Sequence, residues 1–261
     1  MTDYPAHVEA EAARLVELVS GADPGTPVPT CPGWTLAELI THVGTTHRWV
    51  IHILRDRVQE RVWSRQVPNG LPEGASGDPA WLARGAAELL ATLRATDPAT
   101  RVWSWGGEQS AAYWARRMAF ELLVHRVDAE LALGVDPAIP AATALDGIEE
   151  LLGNLPHAVW VARRLAELDA EGATIHLHAT DTPSETPSPA KDLPEGTGEW
   201  TVIQGAAGTV TWTRGHTKAD TAVRGPARDL LLMLYGRRFA PTLTVFGDRS
   251  FLDRWLAKAA F

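Results

Sequence analysis

The stretch Trp114-Ala-Arg-Arg-Met-Ala-Phe-Glu121-Leu-Leu-Val-His125-Arg-Val-Asp128 places an acid and an imidazole four positions apart in a helix-forming background. On a helix that spacing stacks Glu121 and His125 on one face, about one turn apart, and Asp128 falls on the same face a turn further along. Such a helix offers two metal ligands and leaves a third to come from another element. The same pair on a solvated helix is only a surface hydrogen bond. What decides between the two readings is the chain around it.

Upstream, the sequence reads as helices. His7 to Val19 is amphipathic and ends at Gly21, before a Pro-rich loop from Pro24 to Pro32. Thr35 and Glu38 have the spacing of a capping box, which opens a helix running towards residue 60. A Gly/Pro-rich loop follows from Val67 to Gly77, and Asp78-Pro79 opens a third helix with Leu82, Leu89 and Leu93 on one face. The helix that carries Glu121 runs from about Ser110 to Leu133 and stops at Gly134. Two more helical stretches follow, over 143–155 and 158–168. Long helices with modest loops predict a bundle, and bundles place sites between facing helices.

The texture changes after Glu171. Residues 173–179 alternate as a strand does, and 181–197 reads as an exposed Pro-rich loop. Residues 199–204 and 209–213 pair as a hairpin across Gly205-Ala-Ala-Gly208, and a further strand is expected around 219–223. A helix over 228–235, a strand over 243–246 and a final helix from Asp248 to Lys258 complete the chain. The fold class expected is α+β: a four-helix bundle over residues 1–165, then a smaller mixed α/β domain over 166–261.

Composition limits the partners. The 261 residues carry 24 basic and 32 acidic side chains, a net charge of −8, with no basic stripe to release counterions. Nucleic acid and an anionic membrane surface are therefore not expected as partners. The one cysteine, Cys31, excludes an intrachain disulfide framework. The first residues lack the basic head and apolar run of a signal peptide, and no stretch approaches the ~20 apolar residues of a membrane span. A cytoplasmic protein is the expectation.

A third ligand could come from His42, His47 or His52 on the second helix. On a helical wheel His47 lies within the apolar stripe, and His42 sits about a third of a turn away. Periodicity does not choose between them.

The run Thr30-Cys-Pro-Gly-Trp-Thr-Leu-Ala-Glu-Leu-Ile-Thr-His42-Val-Gly-Thr-Thr-His47-Arg-Trp49 resembles the signature of the mycothiol-dependent maleylpyruvate isomerase family, within the DinB-like metalloprotein superfamily. Residues 116–131, around Glu121 and His125, are similar to the second signature of that family. The tail, through Gly198-Glu-Trp-Thr-Val, Gly225-Pro-Ala-Arg-Asp-Leu and Phe246-Gly-Asp-Arg, resembles its sterol-carrier-like C-terminal domain. The resemblance implies a DinB-like bundle in which His42, Glu121 and His125 bind a divalent metal, usually zinc, with Arg126 and Asp128 as outer partners. Three ligands leave an open position, as catalytic zinc sites do.

The implied activity is that of an isomerase or thiol S-transferase. Mycothiol, held as a thiolate, adds to the cis double bond of a small electrophile. It then leaves after rotation, or stays attached. The resemblance also implies that Arg237 and Arg238 hold substrate carboxylates, although basic residues are favoured near helix C-termini in any case. Two other readings stand beside it: a non-catalytic small-molecule binding protein, and a biosynthetic enzyme that no longer uses the metal. The chain departs from many relatives at Phe120, where a histidine is common, and at Thr45 and Thr46. Cys31 reads as part of an entry turn, Trp34, Trp49 and Trp114 as cleft or packing residues, and His176 and His178 as a solvated strand face.

Overall fold

Residues 2–182 and 196–260 are described by the structure, a computed structural model. The chain divides into two compact units, Met1–Pro137 and Ala138–Phe261.

The first unit is a bundle of α1 (Tyr4–Val19), α2 (Leu36–Arg55), α3 (Pro79–Ala95) and α4 (Ala111–Ala132). Helices α1 and α2 each pack on both α3 and α4, which closes the four into a ring. The caps follow from sequence. The Thr35 N–H donates to Glu38 Oε2 at 2.8 Å, Asp78 accepts from the Trp81 N–H, and Ser110 accepts from the Tyr113 N–H. Each cap satisfies an amide that the helix start leaves without a partner. Helix α2 ends at Arg55, short of the expected residue 60, because Arg57 turns the backbone to φ 48.

Helix α4 is buried around its whole circumference, so its charged residues need partners. Arg126 donates from Nε to Glu11 Oε2 of α1 at 2.7 Å and from Nη1 to Glu130 Oε2 at 2.5 Å. Aromatic rings fill the same core: Trp114 meets Trp49 edge-on at 5.1 Å and Trp103 at 6.2 Å.

The second unit begins before the strands do. Helix α5 (Ala141–Asn154) packs on α7 (Ala227–Leu234), and α6 (Val159–Ala166) packs on α8 (Arg249–Ala259). The division therefore falls at Pro137–Ala138, not near residue 165. The texture change at Glu171 marks where helix gives way to strand, but α5 and α6 already bury their apolar faces against the second core. The sheet contains β1 (Thr174–Ala179), β2 (Glu199–Gln204), β3 (Val210–Arg214), β4 (Thr221–Gly225) and β5 (Thr244–Gly247), in the order β3-β2-β1-β4-β5. Among the described residues, β1 and β4 pair in parallel and the other neighbours are antiparallel.

The expected turn between β2 and β3 is a short 3-10 turn, Ala206–Gly208. Gly208, at φ +72, lies so close to α6 that a Cβ would meet Ala162 O at 2.1 Å. Most of the Pro-rich loop expected over 181–197 lies outside the described residues.

Candidate metal centre

Helices α2 and α4 bring three side chains together. His42 Nε2 lies 3.1 Å from Glu121 Oε1, and His125 Nε2 lies 3.2 Å from the same oxygen. The two imidazole centroids are 4.9 Å apart. Two ligands of a tetrahedral zinc, each bound at ~2.0–2.1 Å, stand roughly 3.3 Å apart. Two nitrogens and one oxygen converging at that spacing fit a divalent metal. His42, Glu121 and His125 would hold it. His42 is 39% exposed and the other two are mostly buried, so the cluster opens towards solvent on the His42 side.

The partners around the cluster fix how each ligand points. Arg117 Nη2 donates to Glu121 Oε2 at 2.7 Å, which leaves Oε1 to face both imidazoles. Burial raises the Glu121 pKa, but hydrogen bonds from His125 and His42 and the charge of Arg117 outweigh it and hold the carboxyl well below its usual range. His125 Nδ1 lies 2.9 Å from Asp128 Oδ2, an arrangement that turns Nε2 towards Glu121. Burial lowers the His125 pKa, while Asp128, Cys31 and Glu121 together raise it well above the ordinary imidazole value.

Asp128 is fully buried and also accepts from Thr30 Oγ1 at 2.6 Å and Cys31 Sγ at 3.4 Å. Cys31, His125 and Asp128 are themselves close enough to share an ion. With both Asp128 oxygens accepting hydrogen bonds and His125 Nδ1 engaged there, that trio is better described as the support of the outer cluster. Trp34 covers it: its ring centroid is 5.0 Å from that of His42 and 6.4 Å from that of His125.

Other residues singled out from sequence sit elsewhere. His47 is fully buried in the bundle core, and His52 Nδ1 pairs with Asp56 Oδ2 at 2.5 Å. Arg126 does not meet His125; it ties α4 to α1 through Glu11. Trp49 and Trp114 pack against each other. Phe120 is buried and meets the Tyr4 ring at 6.5 Å. Arg237 and Arg238 follow α7 in the second unit. Arg237 Nη1 donates to Tyr235 O at 2.8 Å, and Arg238 Nη2 lies 3.8 Å from Asp229 Oδ1. Both arginines line a cavity of about 390 Å³ with Arg249 and Phe239.

Arg117 was not singled out from sequence, although its signal was present: Arg117, Glu121 and His125 follow one another at steps of four along one helix face. His176 is buried at 4% exposure rather than solvated, and it lies 3.0 Å from Glu199.

Comparison with known proteins matches both units of the chain to one family. Residues 6–130 match the "Mycothiol maleylpyruvate isomerase N-terminal domain" model, and residues 142–254 match the "MDMPI C-terminal domain" model. The crystal structure of a mycothiol-dependent maleylpyruvate isomerase aligns with 16% identity over 93% of this chain and 91% of its own, at a TM-score of 0.55. A histidine-to-alanine variant of such an isomerase gives 0.56 over the same coverage and identity. That likeness shows a shared fold. A "UbiJ-SCP2 Ubiquinone synthesis protein" aligns more weakly, with 21% identity over 44% of this chain and 91% of its own, at a TM-score of 0.29. No curated protein matches the sequence. Among the described residues, no helix is long and apolar enough to cross a membrane.

Proposed function

This chain belongs to the mycothiol maleylpyruvate isomerase family, and from that membership we propose that it is a metal-dependent enzyme using mycothiol on a small electrophile. The observation that carries the reading is the convergence of His42 Nε2 and His125 Nε2 on one Glu121 oxygen, with His125 turned there by Asp128. A divalent metal bound there, such as zinc, would keep a coordinated thiol deprotonated at neutral pH.

The chain's own residues do the rest. Arg117 holds Glu121 aimed, Asp128 fixes the ring orientation of His125, and Trp34 covers the two imidazoles and limits water on that side. The exposed edge of His42 leaves room for a thiol and a substrate to approach.

The reaction conserves atoms. The thiolate sulfur adds to one carbon of a cis double bond and the π pair moves onto the conjugated carbonyl; the remaining single bond rotates, and the pair returns to expel the same thiolate and give the trans product. If the adduct takes a proton instead of expelling the thiol, the outcome is S-transfer. Arg237 and Arg238 are the candidates for holding substrate carboxylates, since a guanidinium grips both oxygens of one.

The test is isomerisation of maleylpyruvate to fumarylpyruvate by the zinc-loaded chain, with and without mycothiol. Turnover that needs the thiol and falls by at least about a hundredfold in His42→Ala is expected. Thiol-independent turnover, or full activity in His42→Ala, would overturn the reading. Product mass separates isomerisation from S-transfer.

A further inference from the structure

The sheet of the second unit holds a cluster with the same donor set. His176 on β1, Glu199 at the start of β2 and His216 just after β3 bring two imidazoles and one carboxylate within reach of a single ion. We propose that His176, Glu199 and His216 form a second divalent-metal site, of the zinc type, that ties β1 and β2 to the chain leaving β3.

The backbone builds the cluster. In the β1–β2 ladder His178 stands opposite Glu199 and His176 opposite Thr201, which puts these four side chains on one face. The Gly215 N–H donates to Glu199 O at 3.0 Å, and Gly215 takes φ +105. That turn, which favours glycine, swings His216 back over Glu199.

Two observations point to a cation rather than to an ordinary hydrogen-bond network. First, Glu199 Oε2 is shared: His216 Nδ1 lies 2.7 Å from it and His176 Nε2 lies 3.0 Å from it. Second, the His176 side chain is buried, and its Nε2 faces Glu199 Oε2 at 3.0 Å without a well-aligned hydrogen bond. Its Nδ1 faces the Thr201 hydroxyl at 3.5 Å, which can accept from an Nδ1 proton and so allows the tautomer with a lone pair on Nε2. In that tautomer a lone pair and a carboxylate oxygen stand 3.0 Å apart in a buried place and repel each other unless positive charge sits beside both. The spacing is near that of two ligands on one zinc. His216 is 76% exposed, so the remaining positions on the ion face water. With His216 exposed, the site reads as a clip between chain segments.

The experiment counts zinc on the full chain by native mass spectrometry and measures affinity by competition with a chromogenic chelator. Two zinc ions per chain are expected for the wild type, one for His42→Ala, one for His216→Ala and none for the double variant. The second zinc should weaken at least about a hundredfold in His216→Ala, beyond what loss of an outer partner costs. Because His216 is exposed, its replacement leaves the fold intact. Glu199→Gln provides an independent check. A His42→Ala chain that binds no zinc, or a second zinc that survives both His216→Ala and Glu199→Gln, would overturn the proposal. Loss of the first zinc alone leaves this site standing, so the two metal assignments fail separately.

Discussion

Asp128 Oδ2 lies 2.9 Å from His125 Nδ1 at the bottom of the bundle cluster, and Thr30 and Cys31 both donate to the same buried carboxylate. A loop before α2 thereby fixes the orientation of a ring on α4. That link makes His125 a preorganised ligand, and it is the part of the cluster most open to a graded test.

Asp128→Asn keeps the size of the side chain and removes its charge. Metal affinity is expected to fall by about 10–100-fold, the usual loss when an outer partner of a ligating histidine is weakened. Chelator competition reads it directly. Unchanged affinity would mean that Asp128 serves the fold alone.

Metal binding should depend on pH with a definite sign. In the metal-free chain the proton on His125 is held to well above the ordinary imidazole pKa, by Asp128, Cys31 and Glu121 acting against burial. That proton must leave before the ring can bind a metal. Apparent zinc affinity is therefore expected to drop by about tenfold for each pH unit lowered through neutrality. Titrations at three pH values across that range test it, and a flat profile would contradict it.

His47 shows the opposite electrostatics. It is fully buried, neither ring nitrogen has a hydrogen-bond partner among the described residues, and burial pushes its pKa down to about 3. Between pH 6.5 and 3 the unfolded chain binds a proton here and the folded chain does not, so the folded state loses stability as pH falls through that window. At pH 5 the loss is ~2 kcal/mol relative to pH 8. His47→Leu should be more stable than the wild type by about 1–3 kcal/mol at neutral pH, with the gap widening at pH 5. Denaturant unfolding at the two pH values checks both parts.

Packing between α2 and α3 offers a plain stability test. A Cβ on Gly44 would stand 2.1 Å from Trp81 Cζ3, inside a ring that is itself buried. Gly44→Ala is expected to destabilise the bundle by about 1–3 kcal/mol through overpacking, despite the better helix propensity of alanine. A gain in stability would show that Trp81 moves aside freely.

Much of this architecture is legible in the sequence because helix ends announce themselves. Asp78-Pro79, Ser110 and the Thr35–Glu38 pair all act as caps where their spacing predicts. The Glu121–His125 step was equally plain, since both sit on one helix. His42 was different: the wheel could not separate it from His47, and only the resemblance of the Thr30–Trp49 run pointed to it. What separates them is which face of α2 meets α4, a tertiary fact that periodicity within one helix does not carry. The same limit hid the second cluster. Its three residues come from β1, β2 and the chain after β3, and they meet only through strand register and the Gly215 turn. The boundary near 165 failed for a related reason, because α5 and α6 look like more of the bundle until their packing partners are known.

The most direct test of the bundle site is the metal content of the untagged chain carrying His216→Ala, measured by mass spectrometry beside the same chain with His42→Ala or His125→Ala added. About one divalent metal per chain, absent from both added variants, is the result expected from the convergence of these ligands. A folded chain that takes up no zinc, or one that keeps its metal in both variants, would contradict the assignment and with it the thiolate chemistry.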